Sequence, residues 1–173
     1  MKVGVIAPSK ISYIASATGR SESEVKNMLS KVAEILAKNK AELVITPDKN
    51  SPLEFVGKQY SKLKGKIYEV LPLEDKEFGY KGWVNVDLGE AINCGTWRNQ
   101  PEKTNEVTDI LVCIGYGVGV LIEIGYSKWF KPKPIFIIKE LVSSELPIEV
   151  NQSLDLRYVS INDLEDSMKK WKA

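Results

Sequence analysis

The sequence predicts an α/β domain of the Rossmann-like, doubly wound type: a mainly parallel sheet of five to six strands with helices on both faces. Three observations carry that prediction. Short β-branched runs alternate with stretches of helical periodicity through most of the chain. Two of the runs, residues 110–114 and 135–138, are apolar without interruption, as strands covered on both faces are. A glycine-rich turn follows the first of these and leads into an apolar helical segment, the order in which such sheets present a ligand crevice at their carboxyl edge.

Taken in order, residues 2–7 form a β-branched run ending at Pro8, and a loop containing serine and glycine follows. Val25, Met28, Leu29, Val32, Ile35 and Leu36 then recur at helical spacing, with Ser21 and Glu24 in the S-x-x-E pattern of a capping box. Residues 42–46 read as a second strand. Ser51, Pro52 and Glu54 open a helix to about Leu63 with a second capping box and a proline in the first turn, and Lys64 and Gly65 close it. Residues 67–71, 110–114 and 135–138 are the third, fourth and fifth strands, 156–160 is a sixth, and Asp163, Leu164, Met168 and Trp171 mark a terminal helix. Residues 72–97 break the alternation. Phe78, Tyr80, Trp83 and Trp97 lie among glycines and acids there, in a long connection that acts as a lid over the crevice or packs on the core.

At 173 residues the chain suits one domain spanning 1–173. Twenty-four basic side chains against 23 acidic ones leave a net charge of +1, so there is no electrostatic footprint for nucleic acid or an anionic membrane. The longest apolar stretch, 110–126, is interrupted by glycines and carries Glu123, which makes it buried strand plus helix rather than a membrane span. Cys94 and Cys113 lack a C-x-x-C spacing and no signal-peptide pattern precedes the first strand, a combination that predicts free thiols in the reducing cytoplasm. Histidine is absent. That excludes Ser-His-Asp and Cys-His catalysis within one chain and any zinc site using histidine, leaving carboxylates, Arg, Lys, Tyr and backbone groups.

The chemistry concentrates in the segment from Gly115 to Glu123. Gly115, Gly117 and Gly119 allow backbone N–H groups, with that of Val118 between them, to approach an anion, and the following helix adds its positive end, an arrangement suited to phosphate. The spacing is G-x-G-x-G, not the dinucleotide G-x-G-x-x-G. Glu123 lies in a helix, about 118–130, that is apolar nearly all round and therefore predicted to be buried. An ionised carboxylate buried there needs an Arg or hydroxyl partner or a ligand-admitting cavity; the alternative is a solvent-facing glutamate near a helix start, favoured by the dipole.

This run resembles the P-G-G-x-G-T-x-x-E motif of the lonely-guy family of nucleotide phosphoribohydrolases and their relatives, the molybdenum cofactor carrier proteins. Gly117, Gly119 and Glu123 fall on motif positions; Asp109 falls where that family has an acidic residue before its fourth strand; Gly95 with Arg98 and Asn99 resembles the T-G…R-N segment of the carrier-like branch; and Leu71-Pro72 matches the end of the third strand. The resemblance covers about residues 1–139. Tyr116 replaces a motif glycine, Val120 replaces the threonine, and residues 47–52 replace the first glycine-rich loop. Glu123-Ile124-Gly125-Tyr126, followed by Lys133-Pro134, also resembles the E-x-G-Y-A…K-P pattern of nucleoside deoxyribosyltransferases, in which the glutamate is the nucleophile.

These resemblances imply a site that binds a nucleotide or related phosphorylated ligand between the fourth and fifth strands as numbered from the sequence. If the site is catalytic, the bond broken is N-glycosidic, with Glu123 activating water or attacking C1′ of an oxocarbenium-like centre. Arg98, which read alone is a surface ion pair, then forks a phosphate together with Asn99, Ser51 and the amides of Gly115 to Gly119. The carrier-like branch instead implies binding without turnover. Neither reading requires a metal or redox cofactor, and relatives in the group imply a homodimer.

Overall fold

The computed structural model describes residues 1–172. Its elements are β1 (Lys2–Ile6), α1 (Ile11–Thr18), α2 (Glu22–Lys38), β2 (Glu42–Ile45), α3 (Pro52–Lys62), β3 (Ile67–Leu71), β4 (Glu90–Asn93), α4 (Gln100–Val107), β5 (Ile110–Cys113), α5 (Val118–Tyr126), β6 (Ile135–Ile138), α6 (Ile148–Asn151), β7 (Leu156–Val159) and α7 (Leu164–Lys172). The strands form one sheet in the order β4-β3-β2-β1-β5-β6-β7, and every neighbouring pair is parallel.

The period-two alternation of the central strands divides the core. Val3, Val5, Leu43, Ile45, Ile110 and Val112 pack with Val25, Leu29, Val32 and Leu36 of α2, Val56 and Tyr60 of α3, and Leu164 and Met168 of α7. On the other face Ile6, Leu111, Cys113, Ile135 and Ile137 pack with Val120 and Ile124 of α5. Full burial of each such aliphatic side chain contributes about 1.5–3 kcal/mol before the entropy of ordering is set against it. The layers are therefore α1, α2, α3 and α7 on one side and α4 and α5 on the other, which puts the amino ends of α3 and α5 at one edge of the sheet but on opposite faces.

Four expectations are corrected. The sheet has seven strands rather than five to six, because β4, inside the 72–97 segment, pairs Tyr68 to Glu90 and Leu71 to Asn93. Its sequence, Glu-Ala-Ile-Asn, is an exposed edge strand without an apolar run. The loop expected after β1 contains α1, which buries Ile11, Ile14 and Ala15. The helix expected over 118–130 ends as α5 at Tyr126 and buries only Val120, Glu123 and Ile124; the remaining apolar residues face outward. Ser21 and Glu24 make both bonds of a capping box, whereas Ser51 makes only half of one. Its hydroxyl accepts from the Glu54 amide, but the Glu54 carboxylate accepts from the Asn50 amide instead of from Ser51.

Among the described residues no helix is long and apolar enough to cross a membrane. The rest of the 72–97 segment is organised by Asp75, whose carboxylate accepts from the amides of Glu77, Phe78 and Trp97, and by Trp97, whose indole N–H donates to the Gly79 carbonyl at 2.7 Å. An isolated antiparallel bridge joins Val84 to Asp48, so this connection covers the chain that follows β2.

Candidate ligand-binding site

Strand order reverses between β1 and β5: β2, β3 and β4 extend to one side of β1, and β6 and β7 to the other side of β5. Loops leaving the carboxyl ends of two such strands diverge and leave a crevice. The turn after β5 closes on the loop after β1. Gly115 has φ +132°, and a Cβ there would sit 2.8 Å from Ile14 Cγ1 and 3.0 Å from Pro8 Cδ, so conformation and space both require glycine. Gly117 is extended and lies against Pro8, whereas a Cβ on Gly119 would meet nothing within 4 Å. Gly117 is the N-cap of α5 and provides no capping side chain, so the first-turn amides have no side-chain acceptor at the end where the helix dipole is positive. Val118, at the first helical position, is 79% exposed. The turn thus leaves this helix end open to solvent.

On the second turn of the same helix, Glu123 is only 7% exposed. No cation pairs with it among the described residues. Its Oε1 accepts from the side-chain amide of Gln100 at 2.9 Å, and that nitrogen is also 2.9 Å from Thr46 Oγ1 and 3.0 Å from Thr104 Oγ1. Thr46 in turn donates to the Val70 carbonyl. Two N–H hydrogens thus serve three oxygens, and the carboxyl receives less compensation than an ionised group needs. Desolvation pushes Glu123 up to about 7; the Gln100 bond pulls it down and the negative charge of Asp48 adds to the rise. Asp48, two residues beyond Thr46, is itself raised to about 6 by desolvation. Glu123 can therefore give or accept a proton near neutrality.

The backbone behind this carboxyl is locked. Asn105 Nδ2 donates to the Glu123 carbonyl at 2.8 Å and to the Pro101 carbonyl at 3.0 Å, tying α4 to α5. Lys133 is buried and donates to the Asn105 and Thr108 carbonyls and to Thr108 Oγ1. It places an ammonium at the carboxyl end of α4, where the dipole favours it, although burial lowers its pKa to about 8. The lysine of the Lys-Pro pair thus serves the architecture of the site.

The other residues singled out from the sequence are placed differently. Arg98 is exposed and pairs with Glu77 at 2.7 Å, the arrangement its sequence context alone predicts. Asn99 Oδ1 accepts from the Thr96 hydroxyl at 2.8 Å and caps a short 3-10 turn. Ser51 is spent on capping α3, in the layer opposite α5. Asp109 accepts from the Lys2 amide at 2.7 Å, which anchors the start of β1. The structure brings Gly115, Gly117, Val118, Gly119 and Glu123 together at one helix start and leaves Arg98, Asn99 and Ser51 in structural contacts outside it. Gln100, Thr46 and Asp48 join the site unannounced. The one available signal was that Gln100 directly follows the R-N pair and opens a helix.

No protein-family description and no curated protein gives a significant match to the chain. Solved structures do. The molybdenum cofactor binding protein from the phototrophic bacterium Rippkaea orientalis is 17% identical and superimposes with a TM-score of 0.72 over 100% of this chain and 99% of its own. The protein TM1055 is 19% identical, with a TM-score of 0.73 over 98% of this chain and 99% of its own. The molybdenum cofactor carrier protein from Chlamydomonas reinhardtii is 14% identical, with a TM-score of 0.68 over 97% of this chain and 96% of its own. The likeness runs through the whole chain, past the stretch over which the sequence resemblance extends.

Proposed function

We propose that this chain, which has the fold of the molybdenum cofactor carrier proteins, binds a phosphorylated small molecule, a nucleotide or a phosphate-bearing cofactor, at the crevice between the loops after β1 and β5. One observation carries the reading: the open amino end of α5 sits on the same helix as a buried, under-compensated carboxyl. The Gly117 to Gly119 amides hold the phosphate, and Glu123 with the Gln100 amide meets the part of the ligand that lies deeper. Binding without turnover is favoured by Val120 in the place of the motif threonine and by the pairing of Arg98 with Glu77, which leaves no guanidinium beside Glu123.

A second reading, cleavage or exchange of an N-glycosidic bond, draws on the raised pKa of Glu123 and the nearby carboxylate of Asp48. Glu123 would then take the proton of the attacking water, or attack C1′ itself, while the C1′–N bond breaks and protonated Asp48 donates its proton to the departing base. The pairing surface in either case is the outer face of α5, where Val118, Leu121, Ile122 and Tyr126, with Trp129 just beyond, are exposed in the single chain; a homodimer covers them.

Incubation with nucleosides, nucleotides, phosphosugars and the molybdenum cofactor separates the readings when free base is followed by chromatography alongside thermal shift. A stabilising ligand without base release supports the binding protein, and base release supports the glycosidase. No shift with any compound removes the assignment.

A further inference from the structure

A cavity of 590 Å³ opens in the layer of α1, α2 and α3, and none of its lining comes from the Gly115 to Glu123 segment. That volume lies within the range typical of small-molecule sites. Four lysines line it, each from a different part of the chain: Lys10 before α1, Lys26 on α2, Lys49 in the segment between β2 and α3, and Lys58 on α3.

Two carboxylates, Glu22 and Glu54, also line the cavity. Glu54 is already engaged: it accepts from the Asn50 amide at 2.9 Å and from Asn85 Nδ2 at 3.0 Å, and it pairs with Lys58 at 2.9 Å. Lys49 donates to the Lys81 carbonyl at 2.9 Å, which uses one of three ammonium hydrogens. Lys10, Lys26 and Lys49 form no ion pair among the described residues, so the cavity wall carries an excess of positive charge that an anion would compensate. Helix ends add to the field. α1 begins at the cavity with no side-chain cap on its first turn, and α3 begins there at Ser51.

We infer that this cavity, which shares the loop after β1 with the crevice but takes no lining from α5, is a second binding site for a small phosphate ester or pyrophosphate carrying two or more negative charges. A concave site of this size fits a metabolite; with a net charge of only +1, the chain lacks the broad basic surface that nucleic acid requires. The site does not depend on the reading of Glu123.

Isothermal titration with inorganic pyrophosphate and with inorganic phosphate, at constant ionic strength, tests it. The titrations use Gly119→Asp as the parent protein, in which the α5 turn is closed to anions, and the expected result is saturable binding, tighter for pyrophosphate, that adding Lys26→Gln with Lys49→Gln weakens by roughly tenfold or more. Both lysines are exposed, so the double variant folds, and an unchanged thermal midpoint verifies it. Absence of saturable binding at millimolar pyrophosphate overturns the inference, as does binding that survives the double lysine variant. Binding to the wild type that Gly119→Asp alone abolishes would overturn it too, by placing the anion at α5.

Discussion

Glu123→Gln asks whether the buried carboxyl is a tuned acid or half of a structural pair. The side chain is buried and its pKa is raised from 4.5 to about 7. Below the unfolded value the acid is neutral in both states. Between about 4.5 and 7 the folded state holds a proton that the unfolded state has lost, so stability falls as pH rises through that window. Above it the folded state bears the full penalty, on the order of 3 kcal/mol at about 1.4 kcal/mol per pH unit. Glutamine keeps the size and the oxygen that accepts from Gln100, and it has no charge to desolvate. The variant should match the wild type near pH 4.5 and exceed it by about 3 kcal/mol at pH 8, a large share of the ~5–15 kcal/mol that separates folded from unfolded states. Urea denaturation of both proteins at the two pH values measures this. A variant less stable than wild type at pH 8, by the roughly 3–5 kcal/mol of a broken buried pair, would refute the reasoning and give Glu123 a cationic partner. An identical difference at both pH values would refute it as well.

Arg98→Ala should leave the thermal midpoint unchanged, because its pairing with Glu77 is exposed; a clear drop measured by calorimetry would give the pair a structural role. Gly115→Ala should cost about 1–3 kcal/mol in urea denaturation, since φ +132° is strained for alanine and its Cβ would press on Ile14; an unaffected variant would show that the turn relaxes freely. In sedimentation at tens of micromolar the wild type should run as a dimer and Ile122→Lys as the 19.4 kDa monomer, whereas a monomeric wild type removes the α5 interface.

How much of this was legible in the sequence depended on whether a residue's meaning was local. The buried parallel strands were readable because residues covered on both faces must be apolar without interruption, as in Ile110–Cys113 and Ile135–Ile138. β4 was not, because an exposed edge strand needs no such run, and its four residues are identified only by pairing with β3. α1 left a fainter trace. Ile11, Ile14 and Ala15 recur at helical spacing, but three such positions in eight residues are too few to separate a short helix from a serine-containing loop. Glu123 was visible as a charge in an apolar stretch. Its partner was not: a glutamine at a helix start has no chemical signature, and Gln100 reaches Glu123 across 23 residues only because α4 and α5 pack together. Arg98 shows the reverse, a motif position whose side chain is taken by Glu77, a residue of the 72–97 connection.

The central claim, that the open amino end of α5 holds a phosphate, is tested most directly by Gly119→Asp. A Cβ at Gly119 meets nothing within 4 Å, so the substitution costs no steric strain. A carboxylate at the second helical position also interacts favourably with the dipole, by about 0.3–1 kcal/mol. The fold should therefore be as stable as the wild type or slightly more stable, while a fixed negative charge occupies the place of the ligand's phosphate. Titration calorimetry with a set of nucleoside monophosphates and the molybdenum cofactor, in the Lys26→Gln, Lys49→Gln background that removes the second anion site, should show saturable binding without Gly119→Asp and none with it. Binding of equal affinity to both proteins would contradict the assignment.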